Sequence, residues 1–213
     1  MEMSMMRSKA VNGGTLFAIV VVPMCLAVLF TMVEVDLSTA AGVSSMIQYS
    51  VRLAVPWLFI AFCASSCLVL FPGEFTRWML RNRRIWGLCF SSGMAWQLFF
   101  ILWLVAGHFD YYMEEAYDYL SLLEQVPGYI VLFLMTITSF RFGRSKLSAR
   151  QWKIVHKGGI YFLWFVVWTT YWFELFYYDD IQLIDYFYYW VGFTAWLFRM
   201  AAWTVTRTRQ PAT

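Results

Sequence analysis

His156 is the residue of this sequence with the widest range of chemistry, and it is one of two histidines in 213 residues. It follows a basic stretch and stands at the mouth of a long apolar segment. A neutral imidazole is a common metal ligand, and an axial histidine holds many haems. Three roles therefore remain open for His156: a haem ligand, a contact to lipid headgroups, or an interfacial side chain with no further role.

The turn that carries His156 is strongly basic. It contains six lysines or arginines and no acidic residue, namely Arg141, Arg144, Lys146, Arg150, Lys153 and Lys157. An earlier stretch carries Arg77, Arg81, Arg83 and Arg84 against a single acid, Glu74. Because lysine and arginine concentrate in cytoplasmic loops, both stretches are predicted to face the cytoplasm. We interpret Arg83, Arg84 and the six residues of the turn as contacts for lipid headgroups.

The composition indicates a membrane protein. The chain is 61% hydrophobic and only 14% charged, whereas about a quarter of the residues of a soluble domain are charged. The apolar residues form six blocks, at 15–32, 53–71, 85–106, 128–140, 159–177 and 183–203. Most blocks approach the roughly 20 residues that a helix needs to cross a bilayer. We therefore predict an all-α membrane protein: a cytoplasmic N-terminus at 1–14, a six-transmembrane-helix bundle at 15–204 and a cytoplasmic tail at 205–213.

Charges alternate along the loops. The acidic residues of the first, third and fifth loops and the adjoining ends of the apolar blocks are Glu34, Asp36, Asp110, Glu114, Glu115, Asp118, Glu124, Glu174, Asp179, Asp180 and Asp185. Among these loops the only base is Arg52, at the start of the second apolar block. The positive-inside rule then places both termini in the cytoplasm and the acidic loops on the opposite side.

Tyrosines crowd the acidic loops and the ends of the neighbouring blocks, at Tyr111, Tyr112, Tyr117, Tyr119, Tyr177, Tyr178, Tyr186, Tyr188 and Tyr189. Aromatic belts at the membrane interface account for such placement. A contact surface for another membrane or periplasmic protein is the alternative, since tyrosine is favoured in interfaces. The predicted partners are thus membrane lipids and such a protein; nothing indicates nucleic acid.

Few polar side chains lie inside the apolar blocks. Gln97 is 13 residues beyond Arg84, and Thr169 is 13 residues beyond His156. At about 1.5 Å per helical residue, each lies roughly 20 Å from the cytoplasmic face, so the two are expected to face each other at one level. Arg199, near the end of the sixth block, is expected to extend its guanidinium to the cytoplasmic surface.

Three strings resemble a known family. They are RRIWGL from Arg83, TSF from Thr138, and LSARQWKIVHKGGIY from Leu147 to Tyr161. Together they resemble the ferric-reductase-like transmembrane superfamily, and within it the haem-binding membrane subunit of the bacterial periplasmic methionine-sulfoxide reductase system. The resemblance covers about residues 83–172. It implies a six-helix ferric-reductase-like fold and a location in the bacterial inner (cytoplasmic) membrane.

The resemblance also implies a cofactor and its ligands. Members of the family move electrons through b-type haem, which histidines on the third and fifth helices hold. His156 matches one of these histidines, but the other two expected positions carry Gln97 and Thr169. Neither glutamine nor threonine is a usual axial ligand of b-type haem. The cofactor therefore stays unknown: the substitutions disfavour haem b, and a lipid or a quinone is an alternative occupant.

Two functions follow from these residues. The first is a structural, regulatory or accessory subunit of a membrane complex, redox complexes included, in which the bis-histidine haem site has been lost. The alternative is an electron-transfer subunit that uses His156 with haem b or a quinone. No catalytic residue and no metal site are predicted, and whether the protein is an enzyme stays open.

Overall fold

The computed structural model describes residue 6 and residues 8–116, 119–177 and 181–209. Within these ranges all regular secondary structure is helical, so the predicted all-α class is confirmed. Six long helices form the body of the protein: α1 (Gly13–Glu34), α2 (Ala40–Leu70), α3 (Arg83–Gly107), α4 (Tyr119–Thr138), α5 (Ala149–Phe176) and α6 (Leu183–Thr208). Five residues of the predicted acidic and aromatic loops lie outside the described residues: Tyr117, Asp118, Tyr178, Asp179 and Asp180.

Short helices fill the connections. A 3-10 turn, Lys9–Val11, precedes α1, and Glu74–Arg81 joins α2 to α3. After α3, Phe109–Tyr111 continues into a π-helix, Tyr112–Ala116. Arg141–Arg144 forms one helical turn within the basic stretch before α5. Much of the sequence between the apolar blocks is therefore helical too.

Three of the helices in the described part of the chain are long and apolar enough to cross a membrane: α1, α2 and α3. α5 and α6 have similar lengths, at 28 and 26 residues, but their tryptophans and tyrosines give them a lower mean hydropathy. The apolar part of α4 is shorter and spans Gln125–Thr138. On length and composition together, α1, α2 and α3 are the candidate membrane spans.

Two long helices begin well before their apolar blocks. α2 begins at Ala40, and the N-cap Thr39 accepts a 3.1 Å hydrogen bond from the Gly42 amide. Just before it, hydrogen bonds from the Ser38 hydroxyl and amide lower the pKa of the exposed Asp36. α5 begins at Ala149 with a capping box, in which Ser148 and Gln151 exchange side-chain and backbone hydrogen bonds. His156 consequently lies two turns inside α5, and the second half of the basic stretch is helical.

α2 is the central helix and packs against α3, α5 and α6. The crossing of α2 and α3 is close, because a Cβ atom at Gly93 would lie 2.5 Å from the Cβ atom of Ala54. Phe62 on α2 and Phe90 on α3 are both almost fully buried. Such small and large residues together hold the bundle in one arrangement.

The bundle has two ends of opposite charge. The basic end comprises the helix Glu74–Arg81, the start of α3 and the turn Arg141–Arg144. There the Trp78 indole donates to the Val11 carbonyl, and the ring of Phe71 contacts that of Phe198 at 6.0 Å. At the acidic end, Arg52 of α2 pairs with Asp185 of α6. We use the names basic end and acidic end for these two regions below.

Candidate functional site

A cavity of about 450 Å³ lies at the basic end, between α2, α3, α4 and α5. Its rim carries basic and aromatic side chains: Arg81, Arg83, Arg84, Arg144, Trp152 and His156. Its floor is apolar and includes Leu58, Leu132 and Leu163. The cavity thus joins a positively charged opening to an apolar interior, and we call it the basic cavity.

His156 is fixed at the wall of the basic cavity. Its Nε2 atom lies 3.0 Å from Oγ1 of Thr138. The Thr138 hydroxyl also lies 2.6 Å from the Leu134 carbonyl of its own helix, to which it can donate. The imidazole also stacks on the indole of Trp152, with ring centroids 4.5 Å apart. Nε2 is therefore engaged with the Thr138 hydroxyl at the cavity wall.

The arginines of the basic cavity are positioned by neutral groups. Arg83 donates from Nε to the Ala61 carbonyl at 3.0 Å. Arg144 donates to the Leu147 carbonyl at 2.9 Å, and its guanidinium lies over the Trp152 ring at 5.2 Å. The guanidinium of Arg84 lies over the Phe140 ring at 5.4 Å. Each contact leaves further N–H donors of the guanidinium free, since arginine has five.

The eight predicted headgroup residues divide into two groups. Arg83, Arg84 and Arg144 line the basic cavity. The other five are exposed on the surface and do not line it: Arg141, Lys146, Arg150, Lys153 and Lys157. The sequence identified the basic surface, but it did not separate the three arginines that line the cavity, of which Arg84 is also exposed, from the rest.

Gln97 and Thr169, the substituted ligand positions, have separate partners. The Tyr129 hydroxyl donates a 2.7 Å hydrogen bond to Oε1 of Gln97. Thr169 donates to its own helix, with the Phe165 and Val166 carbonyls both at 2.9 Å. Neither residue lines the basic cavity. Each of the two side chains is thus satisfied by its own partner and not by the other.

The residues present do not fit a bis-histidine haem. The Gln97 amide is engaged by Tyr129, and the Nε2 atom of His156 is engaged by Thr138. The second histidine, His108, follows the end of α3 opposite the basic cavity. A b-type haem needs strong axial donors on both faces, and this set does not supply them.

Aromatic rings occupy the space between α2, α5 and α6. The Trp164 indole stacks on Phe62 at 5.4 Å and on Trp168 at 5.8 Å. Its N–H donates to the Gly192 carbonyl at 2.9 Å. Trp168 in turn stacks on Tyr189 at 5.6 Å. This continuous stack closes the interior beyond the basic cavity.

Arg199 does not follow the expectation that its guanidinium extends to the surface. It lies between two rings, 4.5 Å from the Phe62 centroid and 4.7 Å from the Tyr161 centroid. Its Nε and Nη2 atoms are buried and have no hydrogen-bond partner among the described residues. Attraction between the cation and the two ring faces turns the side chain into the bundle instead.

One buried ion pair at the acidic end was not predicted from the sequence. Arg52 Nη2 lies 3.1 Å from Asp185 Oδ1, and the side chain of Asp185 is 1% exposed. Arg52 also donates to Gln182 at 2.8 Å, and its backbone carbonyl accepts from the Tyr188 hydroxyl. The one available signal was Arg52 itself, a lone base among acidic loops.

A larger groove of about 1290 Å³ lies along α2 and α6. Its lining is almost entirely apolar, with Pro56, Phe59 and Val191 among the residues. Such a surface suits acyl chains or a neighbouring helix.

Comparisons of the chain with protein-family models, with curated proteins and with solved structures find no match.

Proposed function

We propose that this protein is an integral membrane protein with six spans that acts as a structural, regulatory or accessory subunit of a membrane complex and holds no b-type haem. The observation that carries the proposal is the hydrogen bond between Tyr129 and Gln97. It occupies the helix position at which the resemblance expects a haem ligand. A side chain that is hydrogen-bonded to a neighbouring helix stabilises the packing of the bundle and does not serve as a ligand of a cofactor.

Helix lengths support the six spans. The shortest of the six long helices, α4, has 20 residues, and the longest, α2, has 31. About 20 helical residues cross the hydrocarbon core. The basic and acidic ends then lie on opposite sides of the membrane, with both termini in the cytoplasm. The ferric-reductase-like fold and a bacterial inner membrane location belong to this proposal and rest on the three strings between Arg83 and Tyr161.

The acidic end supports a role in contact with another protein. Large side chains there are exposed, with Tyr177 at 68% and Phe187 at 59%. Acidic residues such as Asp110 and Glu114 lie on the same side. An aromatic belt against lipid accounts for the aromatic side chains alone. The combination of aromatic and acidic side chains favours contact with a membrane or periplasmic protein.

Side-specific labelling tests the topology. In a variant without its four native cysteines, Lys146→Cys and Tyr186→Cys place one thiol at each end. A membrane-impermeant maleimide applied to intact cells is expected to label Tyr186→Cys only, and to label Lys146→Cys only after the membrane is opened. Labelling of both thiols in intact cells would contradict six spans with cytoplasmic termini.

The second candidate is an electron-transfer subunit that works with a quinone, and His156 at the wall of the basic cavity favours it. In this case His156→Ala abolishes quinone-linked reduction of the complex. Thr138→Val, which removes the hydrogen-bond partner of the histidine, reduces it in part. Unchanged quinone reduction in His156→Ala dismisses this candidate.

A further inference from the structure

The basic cavity concentrates positive charge without a matching acid. Four arginines and one histidine line it, and no aspartate or glutamate does. In the described part of the chain, Arg83, Arg84 and Arg144 form no ion pair with a carboxylate. Their contacts are backbone carbonyls and ring faces, which orient the guanidinium groups without neutralising them.

Arg199 adds a further positive charge next to the wall of the basic cavity. It belongs to α6 and lies over the rings of Phe62 and Tyr161, which are the sequence neighbours of Ala61 and Ile160 in the cavity wall. Two of its nitrogens are buried without a hydrogen-bond partner among the described residues. Holding like charges together near a membrane interior is costly unless an anion offsets them.

The distribution of polar and apolar groups indicates what kind of anion fits. Guanidinium groups pair best with the oxygens of phosphates and carboxylates, to which they donate two hydrogen bonds at once. Below the arginines, Ser91 and Thr136 place hydroxyls 2.8 Å apart on the cavity wall. The floor beneath them is apolar, at Leu58, Leu132 and Leu163. A neutral quinone head would leave the charges unpaired, and a free phosphate would leave the apolar floor without a partner.

We propose that the basic cavity is a binding site for the phosphate of an anionic phospholipid, with the guanidinium groups of Arg83, Arg84 and Arg144 on the phosphate and an acyl chain against the apolar floor. Anionic lipids are concentrated in the cytoplasmic leaflet, which the basic end faces in the proposed topology. The proposal rests on the membrane location given above, but it does not depend on the absence of haem.

The experiment measures lipid retention by native mass spectrometry of the full chain in mild detergent. The probes are phosphatidylglycerol, phosphatidylcholine and inorganic phosphate as a competitor. The test variant is Arg83→Gln/Arg144→Gln. The control is Arg141→Gln/Arg150→Gln, which removes the same charge from exposed positions outside the cavity.

We expect the unchanged protein to prefer phosphatidylglycerol over phosphatidylcholine by at least about tenfold, and the test variant to lose that preference, since charge-assisted hydrogen bonds are about twice as strong as neutral ones. The control is expected to keep it. An equal loss of the phosphatidylglycerol preference in the control would mean that general surface charge causes the preference, and this result would overturn the proposal. Displacement of the lipid by millimolar phosphate would assign the site to free phosphate instead.

The comparison of the two lipids on the unsubstituted protein tests the proposal even if the test variant does not fold. Equal retention of the two lipids by that protein overturns the proposal without any substitution. Arg144→Lys offers a milder change, because it keeps the charge and removes the paired donors. A partial loss of preference is expected, and full retention contradicts the assigned role of Arg144.

Discussion

The hydroxyl of Tyr129 on α4 donates a 2.7 Å hydrogen bond to Oε1 of Gln97 on α3. Gln97 is the position at which the resemblance places a haem ligand. A glutamine in the hydrocarbon region needs such a partner, because no water is available to replace it. The bond therefore gives Gln97 a role in helix packing.

Replacing Tyr129 tests that role. Tyr129→Phe leaves Gln97 without its donor, and we expect a loss of about 1 kcal/mol in the free energy of unfolding, as for other hydrogen bonds between membrane helices. The thermal midpoint in mild detergent measures it. Tyr177→Phe is the control, since Tyr177 is 68% exposed. An equal change in both variants would mean that the bond contributes nothing specific.

The ion pair between Arg52 and Asp185 is expected to contribute more. Asp185→Ala leaves a partly buried guanidinium without its carboxylate and removes a cap from the first turn of α6. We expect a loss of about 3 kcal/mol, the lower end of the range for such changes, because Arg52 keeps Gln182.

The exposed pair of Arg77 and Glu74 provides the comparison for this change. Its side chains are 58% and 33% exposed, so Arg77→Ala is expected to cost less than about 1 kcal/mol. Similar losses in Arg77→Ala and Asp185→Ala, measured by thermal unfolding, would be inconsistent with a buried pair that joins α2 to α6.

The crossing of α2 and α3 depends on Gly93. Gly93→Ala drives a methyl group into Ala54, and we expect a loss of about 1–3 kcal/mol from overpacking. Gly158→Ala is the control, because a Cβ there meets nothing within 4 Å. That change is expected to stabilise α5 by about 0.5–1 kcal/mol through helix propensity. Unfolding midpoints that shift in the same direction would contradict the close crossing.

Hydropathy and charge predicted much of the helical architecture, but not the ends of the helices. α2 extends 13 residues before Leu53 because a polar, helix-compatible stretch follows the Thr39 cap. α5 likewise includes the basic residues up to Lys157 because Ser148 and Gln151 cap it. Apolar blocks mark the hydrocarbon core, whereas capping side chains decide where a helix begins.

The candidate site was harder to predict, because its contacts join distant parts of the chain. The prominence of His156 and the positive charge around it were visible in the sequence. The pairing of Gln97 with Tyr129 was not, since it depends on how α3 and α4 rotate against each other. Nor was the inward position of Arg199, where two ring faces compete with the membrane surface for the guanidinium. Depth along a helix follows from residue number, but the direction of a side chain does not.

The bundle is proposed to hold no b-type haem, and a difference spectrum is the decisive test. The full chain is purified in mild detergent after expression with ample haem, and its dithionite-reduced spectrum is compared with the oxidised one. We predict no Soret shift and no α band, because Gln97 and Thr169 have other partners and Nε2 of His156 is hydrogen-bonded to Thr138. A sharp α band with about one haem per chain would contradict this account.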